Sequence, residues 1–162
     1  MRLEEAQNIA HELADELKDC THRIVIAGSI RRRKSWVGDI ELLVIPKGRL
    51  LDLKLQELIA KGKLAIRGGF GPQNKFLTHL PSGINVDIFA TDEERWPAAL
   101  VVRTGPAESN IKIAMAAKKK GWRFHAYGDG FTDKRGKKIV CHSERDVFEL
   151  VGLPYKEPWD RE

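Results

Sequence analysis

Residues 28–41 read Gly28-Ser29-Ile30-Arg31-Arg32-Arg33-Lys34-Ser35-Trp36-Val37-Gly38-Asp39-Ile40-Glu41. The run before them, Arg23 to Ala27, is β-branched and reads as a strand that feeds a Gly28-Ser29 turn. Four consecutive cations, Arg31 to Lys34, follow. A second strand, Asp39 to Ile45, opens with two acids two residues apart and is ended by Pro46. Side chains at i and i+2 of a strand share a face, roughly 6.5–7 Å apart, so Asp39 and Glu41 point the same way. A turn suited to cradling phosphate thus stands beside half of a divalent-metal site, the pairing that nucleotidyl transfer needs.

Working outward, Leu3 to Leu17 carries apolar residues at helical period, and Leu50 to Ala60 does so again. Leu64 to Gly68, Lys75 to Leu80 and Ile84 to Ala90 read as strands, the last two joined by Pro81-Ser82-Gly83. Thr91 and Glu94 have capping-box spacing, which predicts a helix opening near Asp92. Thr104-Gly105-Pro106 breaks the chain. A helix then runs to about Lys120, short strands lie near residues 122–127, 131–132 and 138–140, and Ser143 with Asp146 caps a helix that ends at Gly152. The expected architecture is α+β: a palm-like mixed sheet with helices on one side over residues 1–102, and a small α+β lobe over residues 103–162.

Asp87 sits in Ile84-Asn85-Val86-Asp87-Ile88-Phe89, where a charge is costly unless paired or metal-bound. It is the best third acid. Asp39, Glu41 and Asp87 together would hold two Mg²⁺ ions roughly 3.5–4 Å apart, with Mn²⁺ able to substitute. Asp87 would also take the proton of the attacking hydroxyl. Gly28, Ser29 and nearby backbone N–H groups would grip phosphate, and Arg32 would add a fork to a phosphate oxygen. Taken singly, each acid also fits a plainer role: Asp39 in a turn, Glu41 facing solvent, Asp87 paired with an arginine.

The chain has 162 residues and a formal net charge of +5, with a pI near 9.3. The excess is clustered at Arg31–Lys34, at Lys118, Lys119 and Lys120 with Arg123, and at Lys134 and Arg135 with Lys137 and Lys138. Such clusters suit a polyanion. Trp122, Phe124 and Tyr127 lie among them, as core residues of a small sheet or as stacking platforms. Two cysteines, Cys20 and Cys141, lie far apart and read as reduced thiols. No apolar run reaches the ~20 residues of a membrane span, and the acidic, helical N-terminus does not read as a secretory signal. The expectation is a soluble, cytoplasmic protein with no membrane partner, and a monomer by default.

At these residues a family resemblance becomes specific. AGSIRRRKSWVGDIELLV, residues 27–44, resembles the palm motif of the family X, polymerase β-like DNA polymerases. EEAQNIAHELADELK, residues 4–18, is similar to the helix that leads into it. RWPAALVVRTGPAESNIKIAMAAKKKG, residues 95–121, resembles the Thr-Gly hinge and the helix that closes over the incoming nucleotide. SERDVFELVGLPYKEPWDRE, residues 143–162, is similar to the C-terminal helix and its Leu-Pro-Tyr-x-x-Pro ending. The resemblance implies metal ligands at Asp39, Glu41 and Asp87 and phosphate contacts from Ser29, Arg32 and Gly38. It also implies Gly105 at the hinge near the sugar, Asn110 on the minor-groove edge of the nucleotide, and Lys75 on the primer or template backbone. DNA would be held by Lys118, Lys119, Lys120, Arg123, Lys134 and Arg135, with steep salt dependence.

Three departures from the family pattern carry expectations. Glu41 stands where the family has aspartate; the added methylene shifts metal geometry or the strand, lowering the rate or moving the Mg²⁺/Mn²⁺ preference. Val102-Arg103 replaces an aromatic pair, so the 2′-position of the sugar is screened less. Weak discrimination against ribonucleotides is expected in single-turnover incorporation of dNTP against rNTP, and a ratio as high as in ordinary DNA polymerases would refute it. Because the stretch starts at the palm helix, the larger members' N-terminal lyase and DNA-gripping segments are expected to be missing, as in the minimal viral form. The implied activity is addition of dNMP from dNTP to a DNA 3′-hydroxyl, filling short gaps in repair. A template-independent or RNA-directed transferase and a non-catalytic DNA-binding module are the alternatives.

Overall fold

A computed structural model describes residues 1–162. The chain divides into two compact units, Met1–Thr91 and Asp92–Glu162.

In the first unit α1 (Leu3–Leu17) leads to β1 (Thr21–Ile26), the single turn α2 (Gly28–Arg31) and β2 (Asp39–Pro46). Then come α3 (Leu50–Ala60), β3 (Leu64–Phe70), β4 (Asn74–His79) and β5 (Asn85–Ala90). The five strands form one sheet in the order β1-β2-β5-β4-β3. It is mixed: β2 and β5 run parallel, and the other neighbours are antiparallel. Ala6, Ala10, Leu13 and Leu17 of α1 and Leu51, Leu55 and Leu58 of α3 pack with Ile40, Leu42, Val44, Val86 and Ile88 of the sheet. The helices thus cover one face, and the residues between those apolar positions, the acids included, lie on the other.

Lys75 departs from its expected place on a nucleic-acid surface. Its side chain is only 4% exposed, and its Nζ lies 3.1 Å from Asp52 Oδ1 on α3. It also donates to the Gly71 carbonyl at 2.6 Å and lies over the Phe70 ring. A charge that far from water needs those partners, so Lys75 ties β4 to α3. Replacing it with methionine should lower stability by about 1.5–3 kcal/mol, the scale of a charge-assisted hydrogen bond. Denaturant melts of the two proteins measure this directly, and an unchanged midpoint would leave the tie without energetic weight.

The second unit contains α4 (Trp96–Thr104), α5 (Ala107–Lys119), β6 (Arg123–His125), β7 (Gly130–Thr132), β8 (Lys138–Ile139) and α6 (Glu144–Glu149). Its strands form an antiparallel sheet, β6-β7-β8. Ala98 and Val101 of α4 pack with Ile113, Ala117, Phe124, Phe131, Val147 and Phe148. That packing draws α4 into this unit, so the division falls at Thr91/Asp92 rather than at the expected Val102–Arg103.

The helix expected near Asp92 also begins later, at Trp96, with Pro97 in its first turn. Asp92 instead closes a turn, its Oδ1 accepting from the Arg95 amide at 2.9 Å. The second capping signal is realised in part: Ser143 Oγ accepts from the Asp146 amide at 3.1 Å, whereas Asp146 Oδ2 accepts from the His142 amide at 2.8 Å, and the helix ends at Glu149, short of Gly152.

Both cysteines are free thiols. Burial, helped by the nearby Asp146 carboxylate, pushes Cys141 up to about 11 from an ordinary 9.0. A raised folded value means that the unfolded chain ionises first. This group's contribution to stability is therefore complete below about pH 9 and is lost as pH climbs toward 11. Cys141 should resist thiol reagents in the native protein at about pH 8 and react in denaturant; rapid native labelling would contradict its burial.

Candidate active site

The first unit assembles the acids around one strand junction. In the parallel β2–β5 pair, Glu41 stands opposite Asp87 and Asp39 opposite Asn85. Register partners in a sheet share a face, as do i and i+2. Asp39, Glu41 and Asp87 therefore lie on one face at the start of two neighbouring strands. Asp39 is exposed, and Glu41 and Asp87 are half-buried.

Gly28 explains where Glu41 goes. It has φ +61°, and a Cβ built there would meet the Glu41 Cδ at 2.8 Å and Cβ at 3.3 Å, with the carboxylate oxygen nearer still. The longer acid thus leans over the bare backbone of the Gly28-Ser29 turn. The Ala27 amide, donating to the Glu41 carbonyl at 2.8 Å, fixes that turn beside β2. Gly28 is consequently brought to Glu41, with Ser29 next to it inside α2 and Arg32 as the C-cap of that turn.

Asp87 is ion-paired with Arg67 of β3. The Arg67 guanidinium also lies over the Phe76 ring of β4 at 5.5 Å, and Phe76 is the register partner of Asp87. Arg67 thus reaches across β4 to the acid, a contact with no signature in the sequence. With Glu41 turned toward Gly28 and Asp87 toward Arg67, the three carboxylates do not close into a metal-holding group in this arrangement. The donor set still fits a hard divalent ion: it is all oxygen, on one face, at the junction of two strands. Gly38 lies just before Asp39, with open space where a Cβ would stand.

The other residues singled out from the sequence lie in the second unit. Gly105 caps α4 with φ +67°, and the Gly105–Pro106 bond is cis. Asn110, on α5, donates from Nδ2 to the Val102 carbonyl at 3.0 Å, while its Oδ1 is buried without a hydrogen-bond partner. It therefore braces the Thr-Gly segment and keeps an unused acceptor. Lys118, Lys119, Lys120, Arg123, Lys134 and Arg135 are all exposed. Lys120 donates to the Leu150 carbonyl at 2.6 Å and lies over Trp122. The Lys134 stem passes over Gly121, where a Cβ would meet its Cγ at 2.9 Å. Two of the basic clusters, distant in sequence, are thereby brought together. Trp122 and Phe124 pack on Phe131 as a small aromatic core, and Tyr127 is exposed.

This sheet, with paired acids beside a Gly-Ser turn, has the fold of polymerase beta. Two ternary structures of Leishmania infantum polymerase beta superpose over the whole chain with TM-scores of 0.83 and 0.86 at 21% identity, covering 76% and 70% of those chains. Residues 99–162 match the DNA polymerase beta thumb model.

The chain is similar to the family X DNA polymerases. It is 32% identical to rat DNA polymerase lambda over 85% of its length and 30% identical to the DNA polymerase/3′-5′ exonuclease PolX of Bacillus subtilis over 97%. It spans 28% of the length of each of these two relatives. It is also 28% identical to the repair DNA polymerase X of African swine fever virus, over 90% of its length and 84% of the viral protein. No helix is long and apolar enough to cross a membrane.

Proposed function

We propose that the chain is a metal-dependent DNA polymerase that adds dNMP from dNTP to a DNA 3′-hydroxyl, filling short gaps under template direction. The observation that carries this reading is the register of β2 and β5, which sets Glu41 against Asp87 with Asp39 two residues away on the same face. The gap complex among the superposed Leishmania structures and the word repair in the viral relative's name support gapped DNA as the substrate.

Asp39, Glu41 and Asp87 would hold two Mg²⁺ ions. When bound, such ions polarise the 3′-hydroxyl and offset charge on the departing pyrophosphate. The chain's own residues do the rest. Asp87 accepts the hydroxyl proton as the oxygen–phosphorus bond forms, and the bond to pyrophosphate breaks on the opposite side. Arg67 keeps the Asp87 carboxylate oriented before substrate arrives. The Ser29 hydroxyl and the amides of the Gly28-Ser29 turn receive the terminal phosphate oxygens, and Arg32 adds its fork. Asn110 offers its unused Oδ1 to a donor on the nucleotide. The exposed lysines and arginines of the second unit neutralise backbone phosphates.

Primer extension on a one-nucleotide-gapped duplex tests the reading, each dNTP being supplied singly with Mg²⁺ or Mn²⁺ beside an Asp39→Ala control. Incorporation of the complementary dNTP alone, lost in the control, is the expected result. Incorporation regardless of the template base would replace it with terminal transfer. No incorporation with either metal would reject DNA synthesis.

A further inference from the structure

The loop between α2 and β2 carries cations and an aromatic ring that the chemistry above does not use. It opens with backbone strain. Arg33 has φ +60°, and every other residue with positive φ is a glycine. The Arg33 amide donates to the Ile30 carbonyl and the Lys34 amide to the Ser29 carbonyl, each at 3.0 Å. That pattern ends a helical turn on a left-handed residue, a place where glycine is the unstrained choice. Strain of this kind gathers at functional sites, where the side chain is the reason for keeping it. Here the side chain is an exposed guanidinium, followed by an exposed Lys34.

Trp36 is a second and independent sign. Its side chain is 69% exposed, although its backbone is held on both sides. The Leu3 amide donates to the Ser35 carbonyl at 3.1 Å and the Val37 amide to the Met1 carbonyl at 2.7 Å. Trp36 itself forms an antiparallel bridge with Arg2. Val37 is fully buried, so the alternation of an extended segment turns the indole outward. A large ring is thus presented on a pinned segment, and little conformational freedom is left to lose when a flat group stacks on it.

The neighbours of the ring narrow the partner. Arg2 is its bridge partner, Arg33 and Lys34 lie just before it, and all three are exposed. No acid stands between Gly28 and Gly38; the nearest in sequence, Glu4 and Asp39, belong to α1 and β2. Lysine and arginine suit the phosphates of any nucleic acid. A duplex keeps its base faces stacked inside, whereas an unpaired strand offers them to an aromatic ring.

We propose that the 33–36 loop binds single-stranded DNA, with one base stacked on the Trp36 indole and the flanking phosphates on Arg33, Lys34 and Arg2. Only Val37 and Gly38 separate Trp36 from Asp39, so a strand on this loop is held next to the strand that carries the acids. The contact needs neither metal nor dNTP and goes beyond the polymerase reading.

The test is binding without dNTP or divalent metal, so its outcome is independent of DNA synthesis. Fluorescence anisotropy would compare labelled oligothymidylate with an abasic strand of equal length, which keeps the phosphates and lacks the bases. The full chain should bind the thymidylate about tenfold tighter. Trp36→Ala should reduce that preference to about twofold or less, whereas Trp159→Ala, at an exposed tryptophan of the second unit, should keep it. Thermal melts check that both variants are folded. Arg33→Gly supplies the residue that the backbone favours, so its melting temperature should hold or rise. Its affinity for both strands should nevertheless fall about threefold, and the slope of log affinity against log salt should shallow by about 0.7, the loss of one phosphate contact on a single strand. Equal affinity for the two strands in the parent chain would overturn the proposal, as would a preference that survives Trp36→Ala. Unchanged affinity and salt slope in Arg33→Gly would also overturn it, leaving the strained cation without a part in the contact.

Discussion

Asp87→Asn should abolish nucleotide incorporation while leaving the protein folded. The exchange keeps the side chain's size and removes its charge from the face where Glu41 and Asp87 stand in register. A lost acidic ligand forfeits several kcal/mol of transition-state stabilisation, so the rate should fall roughly 10³-fold or more. The stability cost is small by comparison. The Arg67 pair is part-exposed, at 37% and 14% for the two side chains, and such pairs contribute about 0–1 kcal/mol. Single-turnover incorporation beside a thermal melt separates the two effects. A variant that keeps its melting temperature and still incorporates within tenfold of the parent would remove Asp87 from the catalytic centre.

Gly28→Ala should harm both stability and activity, although alanine adds only a methyl group. The position has φ +61°, where an L-residue costs about 1–2 kcal/mol. The new Cβ would also press on the Glu41 carboxylate. Together these should cost about 2 kcal/mol or more, a fall of about 5 °C in melting temperature for a chain of this size. Glu41 would be pushed off the turn, so incorporation should drop further than stability explains. Pairing the substitution with Glu41→Asp separates strain from crowding. The shorter acid relieves the contact with the added methyl group, so the double variant should recover part of the lost stability, whereas a wholly additive loss would assign the effect to the backbone alone.

The site was legible in part. Asp39 and Glu41 are two residues apart on a strand bounded by a glycine and a proline, so local period alone puts them on one face. Asp87 stood out as a charge among β-branched and aromatic neighbours. The plainer possibility, pairing with an arginine, is the one the structure shows, through Arg67. Lys75 was misjudged because nothing in Asn74-Lys75-Phe76 shows that α3 brings Asp52 over it. The start of α4 was misjudged because Thr91 and Glu94 mimic a cap, while Asp92 closes a turn and Pro97 marks the first helical turn. Arg161 drew no notice, because nothing in Asp160-Arg161-Glu162 shows that Glu144, Phe148 and Tyr155 enclose it.

The sequence by itself determined the order of helices and strands, the apolar face of α1 and α3, the Gly-Ser turn and the orientation of the β2 acids. Each follows from the 3.6 and 2.0 periods and from what glycine and proline permit over a few residues. The tertiary structure alone decided that β5 lies parallel to β2 with Asp87 opposite Glu41, that Arg67 reaches Asp87 across β4, that α4 joins the second unit, and that Arg161 is buried against Glu144, Phe148 and Tyr155. Register and burial arise when segments far apart in the chain pack against one another. The free energy that fixes them belongs to the assembled core, and no short stretch of residues encodes it.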